Sequence, residues 1–268
     1  MRKLMKILLF PFLFFFVIAG AQPANAAPPT YPPSIAALGD SITQATDVCC
    51  WYGNHPAQSW STGDGQFDGI SSHYERLVQL QPGSAVTSQN LSVSGAKAVD
   101  LVQQAGGVTA GTGYVTILIG ANDLCTSSAG TMTSESDFRN SVSQALAILK
   151  ANNPTAKIFV SSIPDIYQLW SVLRTSATAQ LVWSAAQICQ SMLAPSNTEE
   201  MRQQVVQREA AFNRILAEVC GQYDNCRTDR NAVTRYKFTS GDVSRLDYFH
   251  PSLQGQAKLA DITWKAAW

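Results

Sequence analysis

The chain has 268 residues, 46% of them hydrophobic and 14% charged. That length suits one or two domains, and so apolar a composition can bury a core, which excludes disorder as the main state. Nineteen basic residues balance 19 acidic ones, but Arg2, Lys3 and Lys6 all fall in the first six positions. The rest of the chain is slightly acidic and has no basic block, so nucleic acid is excluded as its main partner, because phosphate binding relies on clustered Lys and Arg.

Met1 to Lys6 is a positive n-region, Ile7 to Gly20 an apolar h-region, and Ala24-Asn25-Ala26 an A-x-A cleavage site, the three-part pattern of a secretory signal peptide. The apolar run falls short of the roughly 20 residues a membrane span needs. Residues 1–26 are therefore expected to be a signal peptide cleaved after Ala26, and residues 27–33 a proline-rich linker. Residues 34–268 are expected to form one domain, secreted or extracytoplasmic and without a stable membrane span.

Ser34 to Leu38 is a short apolar run ending at Gly39, which suits a buried strand. Trp51 to Ile70 reads as a long irregular loop. Ser72 to Leu80 is expected to be helical, Ala85 to Val93 a strand and Lys97 to Gln104 a short helix. Tyr114 to Ile119 is the clearest strand, apolar throughout and closed by Gly120. Ser134 to Lys150 carries Phe138, Val142, Ala145, Leu146 and Leu149 on one helical stripe. A strand is expected at Lys157 to Ser161 and partly helical structure at Ile166 to Leu193. Asn197 is placed as N-cap of a helix running to Cys220. Val233 to Phe238 is the fifth strand candidate, and Ser252 to Trp268 a closing helix. Strands alternating with helices imply parallel βαβ units covered on both faces.

Six cysteines in an exported chain suggest disulfides. Cys220 and Cys226 can close a small ring, and Cys125 and Cys189 can staple two loops. The adjacent Cys49 and Cys50 either pair through a tight ring or find distant partners. A zinc reading on Cys49, Cys50 and His55 lacks C-x-x-C spacing and a second ligand pair.

In such a sheet, sites gather at the carboxyl ends of the strands. Strand one ends in Gly39-Asp40-Ser41, strand three in Gly120-Ala121-Asn122-Asp123, and strand two runs towards Ser94-Gly95. Asp247 stands three residues before His250, just ahead of a helix. These are parts for acyl transfer. A serine hydroxyl needs a base to take its proton, imidazole is suited to that near neutral pH, and a carboxylate fixes the imidazole tautomer. The Ser41 N–H, the Gly95 N–H and the Asn122 amide can meet the resulting oxyanion. Asp40 and Asp123 are expected to hold loops, and His55 and His73 to be structural or surface residues. The Asn90-Leu91-Ser92 sequon is read as a plain strand segment.

Leu38-Gly39-Asp40-Ser41-Ile42 resembles the Gly-Asp-Ser-Leu block of the SGNH (GDSL) hydrolases. Gly95, Gly120-x-Asn122-Asp123 and Asp247-x-x-His250 resemble that family's later blocks, in the family's order. The flanks Gln58 to Gly63, Asn90 to Lys97 and Leu118 to Cys125 look like its phospholipase B-type branch. The resemblance implies a three-layer α/β/α flavodoxin-like fold around a five-stranded parallel sheet. It implies Ser41 as nucleophile, His250 as base and Asp247 as its orienter. The oxyanion hole would be Ser41, Gly95 and Asn122. The expected protein is a monomeric serine ester hydrolase, needing no metal or cofactor, with lipid or phospholipid acyl esters as substrate. The rivals are a carbohydrate O-acetylesterase and a non-catalytic binding module on a hydrolase scaffold.

Overall fold

Five parallel strands form the centre of the chain, in the order β2-β1-β3-β4-β5. The computed structural model describes residues 31–268; the expected signal peptide and cleavage site lie outside them. The strands are β1 (Ser34–Gly39), β2 (Thr87–Asn90), β3 (Tyr114–Leu118), β4 (Lys157–Val160) and β5 (Cys226–Thr228). The helices are α1 (His73–Leu80), α2 (Leu101–Gly106), α3 (Ala121–Leu124), α4 (Glu135–Asn152) and α5 (Ile166–Leu173), followed by α6 (Ala177–Ala185), α7 (Gln190–Leu193), α8 (Glu199–Cys220), α9 (Ala232–Arg235) and α10 (Leu253–Ala267).

Strand side chains alternate between faces, and that alternation divides the core. Ala36, Leu38, Val115, Ile117, Ile158 and Val160 meet the stripes of α2, α4 and α8. Ile35, Tyr114 and Phe159 meet Leu77 of α1 and Trp264 of α10. Both faces of the sheet are covered, so β1, β3 and β4 are continuous apolar runs. The fold is the expected three-layer α/β sandwich. Tyr31, just ahead of β1, packs 5.2 Å from the Trp268 ring. No helix among the described residues is long and apolar enough to cross a membrane.

The disulfides Cys125–Cys189 and Cys220–Cys226 are both present. Cys49 pairs with Cys50, which settles the choice left open and leaves no thiolates for the zinc reading.

Two expectations fail. Val233 to Phe238 is not a strand. The Asp229 carboxylate accepts the Asn231 and Val233 N–H groups at 3.1 and 2.8 Å, which turns the chain into α9. The fifth strand is Cys226–Thr228, paired with Ile158 to Val160. The long helix is capped by Thr198, whose hydroxyl accepts the Met201 N–H, rather than by Asn197. The Asn197 amide instead donates to the Gln190 and Ser191 carbonyls.

His73 is structural. Its ring lies between the Tyr114 hydroxyl and Thr263 Oγ1, 2.9 Å from each. Burial, with Arg76 adding to it, pushes its pKa down to about 3. An unfolded histidine titrates near ~6.5, so between those values the unfolded chain binds the extra proton. The fold therefore loses stability as pH falls from about 6.5 towards 3. His55 is also buried, with Nε2 3.0 Å from the Trp51 carbonyl.

Candidate active site

The chain crosses from β1 to β2 on one side of the sheet, and β3 lies on the other side of β1. The carboxyl ends of β1 and β3 therefore flank a topological switch point, where crevices form in open α/β sheets. Gly39, which ends β1, has φ +150°. A Cβ there would sit 2.3 Å from the Leu118 carbonyl oxygen, so glycine permits the close approach of β1 to β3. The Gln104 side chain holds the same peptide. It accepts the Gly39 N–H at 2.8 Å and donates to the Gly39 carbonyl at 2.9 Å.

Beyond Gly39 the chain turns without forming a helix. The Thr43 and Gln44 N–H groups bond to the Asp40 carbonyl, and that of Thr46 to the Ser41 carbonyl. Ala45 and Asp47 then take left-handed backbone angles, which interrupt any helical repeat. Side chains brace this turn from afar. Gln256 of α10 donates to the Ile42 carbonyl at 2.8 Å and accepts the Trp60 N–H at 3.0 Å. Asn90, the sequon residue, donates to the Thr43 carbonyl at 3.2 Å.

Ser41, His250 and Asp247 meet although Ser41 and His250 are 209 positions apart. Ser41 Oγ lies 2.8 Å from His250 Nε2, and Asp247 Oδ2 accepts a bond from His250 Nδ1. Asp247 Oδ1 accepts the Phe249 and His250 N–H groups at 2.9 and 3.1 Å. Burial raises the Asp247 pKa, but its bond to His250 and the imidazolium charge outweigh that, so the carboxyl lies below the usual range. The loop bearing the pair is closed by a Val243–Pro251 bridge and by the Ser244 N–H on the His250 carbonyl at 2.8 Å. Ser244 Oγ also donates to the Asp47 carbonyl, which ties the loop to the turn after Ser41.

Neither the Ser41 nor the Gly95 N–H reaches an acceptor among the described residues. Gly95 has φ +84°. The Asn122 amide donates to the Ala96 carbonyl at 2.9 Å, which places it beside the Gly95 loop with its second N–H uncommitted. Asp123 accepts the Ala98 N–H at 2.9 Å and joins the same two loops. Asp40 accepts the Ile42 N–H at 2.9 Å, and burial pushes its carboxyl up to about 7. Both aspartates hold loops, as expected.

Asp47, Asp247 and His250 each offer a ligand atom, all within 4.8 Å of one another. Asp247 and His250 are committed to each other, and Asp47 accepts the Gly53 N–H at 2.6 Å. All three side chains thus already have hydrogen-bond partners.

A cleft opens beside His250. Ile42, Ala121, Leu169, Phe238 and Phe249 make its walls apolar, and α5 forms one side. The bracing residues Gln104, Gln256 and Ser244 escape the sequence reading.

Residues 35–263 match the GDSL-like lipase/acylhydrolase family. No curated protein matches the chain. Among solved structures, an extracellular lipase from Streptomyces rimosus is 15% identical with a TM-score of 0.51, over 87% of this chain and 99% of its own. A phospholipase A1 from Streptomyces albidoflavus is 16% identical with a TM-score of 0.51, over 88% and 100%. A carbohydrate acetylesterase from Sinorhizobium meliloti is 14% identical with a TM-score of 0.50, over 87% and 98%. At these identities the likeness is one of fold.

Proposed function

The chain belongs to the GDSL-like lipase/acylhydrolase family and is a serine ester hydrolase, and on that premise we propose that it cleaves lipid acyl esters through an acyl-enzyme on Ser41. His250 takes the Ser41 proton as Oγ attacks the ester carbonyl, and returns it to the leaving alkoxide. Water then attacks the acyl-enzyme with His250 again as base, which releases the acid and restores Ser41. Asp247 holds the imidazole with Nε2 towards Ser41 and stabilises the imidazolium. The Ser41 and Gly95 N–H groups and the Asn122 amide receive the oxyanion.

The observation that carries the lipid reading is the apolar cleft touching His250. An acetyl group offers a single methyl to these apolar walls, whereas each methylene of a longer chain gains about 0.8 kcal/mol on burial. Turnover of p-nitrophenyl esters tests this. The kcat/KM should rise from acetate to octanoate by ~10² or more, given several buried methylenes. Acetate-only turnover would instead favour the carbohydrate O-acetylesterase reading. We also assign the protein to the outside of the cytoplasm, with cleavage after Ala26. The signal pattern and three disulfides support that.

A further inference from the structure

The Cys49–Cys50 loop takes no part in the mechanism, yet it is braced against both sides of the site. Tyr52 Oη donates to the Leu246 carbonyl at 3.1 Å, next to Asp247. Asn54 accepts from Thr46 Oγ1 and from Ser94 Oγ, each at 2.7 Å, next to Gly95. Between these ties the chain is sharply bent. Cys50 and Gly53 have φ +66° and +119°, and the Cys49–Cys50 bond adds a further constraint. At the tip, Trp51 is 66% exposed and Tyr52 is 69% exposed. Val93 is also exposed, beside Ser94 on the loop that Asn54 reaches.

Trp51 and Tyr52 are adjacent at this tip, so they present one apolar patch rather than scattered single residues. Trp and Tyr each join an apolar ring to a polar group, the combination that settles at the boundary between lipid and water. Arg245 stands beside Leu246, the residue that receives the Tyr52 hydroxyl. It is exposed and makes no ion pair among the described residues. An unpaired cation one position from the Tyr52 anchor suits an anionic head group.

We propose that the Trp51–Tyr52 knuckle, with Arg245 beside it, docks the enzyme on an anionic phospholipid surface and so presents the mouth of the site to its substrate. This rests on the lipid reading above. Docking would shorten the path of an acyl chain from the lipid phase to the cleft beside His250.

Co-sedimentation with phosphatidylcholine vesicles, with and without phosphatidylglycerol, tests the surface. The wild-type enzyme should bind the phosphatidylglycerol vesicles more tightly, and added salt should reduce the difference. Trp51→Ser should weaken binding at least ~10-fold, since one large apolar group is lost from the interface. Arg245→Ser should remove the preference for phosphatidylglycerol. Both variants should hydrolyse soluble p-nitrophenyl butyrate within about twofold of wild type, since neither residue touches the reacting atoms. The proposal is overturned if wild type stays in the supernatant with both vesicles, or if Trp51→Ser binds as wild type does. Octanoate turnover without vesicle binding removes the docking surface and leaves the lipid reading. Vesicle binding with acetate-only turnover removes the lipid reading and leaves the surface.

Discussion

His250→Ala is expected to lower kcat by about 10⁴–10⁶-fold, the range in which loss of a triad base falls. The imidazole is the only base within hydrogen-bond reach of Ser41 Oγ among the described residues. Without it the hydroxyl keeps its proton and stays a weak nucleophile. The fold should survive, because the loop also hangs on main-chain bonds. The Ser244 N–H bonds to the His250 carbonyl, and Trp183 Nε1 bonds to the Tyr248 carbonyl at 2.9 Å. The same assignment fixes the sign of the pH response. Protonated imidazole cannot accept from Ser41, so kcat/KM should fall on the acid side. A pH profile that stays flat on the acid side, or a His250→Ala enzyme with a few per cent of wild-type turnover, would remove His250 from the mechanism.

Asn122→Ala should cut kcat by ~10²–10³ and leave KM nearly unchanged, as loss of one oxyanion donor does. The stability cost should be modest, about 1 kcal/mol for the lost bond to the Ala96 carbonyl. Asn122→Asp separates two roles. If the side chain only shapes the turn after β3, an isosteric carboxylate there should leave kcat close to wild type. If its amide meets developing negative charge, the carboxylate should be at least as damaging as alanine. Steady-state kinetics on both variants with one soluble ester decide the matter, and near-full kcat for Asn122→Asp would take Asn122 out of the oxyanion site.

What could be read from the chain depended on how local the physics was. β1, β3 and β4 are buried on both faces, so their residues had to be continuous apolar runs, and such runs stand out. β5 has three residues, Cys226, Arg227 and Thr228, none of them fully buried, and an edge strand of that kind carries no apolar signal. The strongly apolar residues just after it, Val233 in α9 and the half-buried Phe238, mimic a strand, because apolar residues packed outside a sheet and inside one look alike in sequence. The proposed triad was legible because Asp247 and His250 lie within one turn and Ser41 stands two residues after a glycine that β1 requires. The braces were not. Gln256 reaches Ile42 across 214 positions and Gln104 reaches Gly39 across 65, and nothing local distinguishes either from a solvent-facing glutamine. The buried Glu209 is a further case. It accepts the Ile166 N–H at 3.1 Å and so anchors the helix that walls the cleft. Burial pushes its carboxyl up to about 8. In sequence it looks like one more charge on an amphipathic helix.

Ser41 as the attacking atom is the claim on which the rest depends, and labelling by a fluorophosphonate addresses it most directly. The probe reacts only with a serine whose proton is being removed and whose oxyanion is held. The enzyme should take up one equivalent, and mass mapping should place the phosphonyl group on the peptide carrying Gly39, Asp40 and Ser41, with no adduct in Ser41→Ala. An adduct on another residue, or an active enzyme that the probe leaves unmodified, would contradict the account.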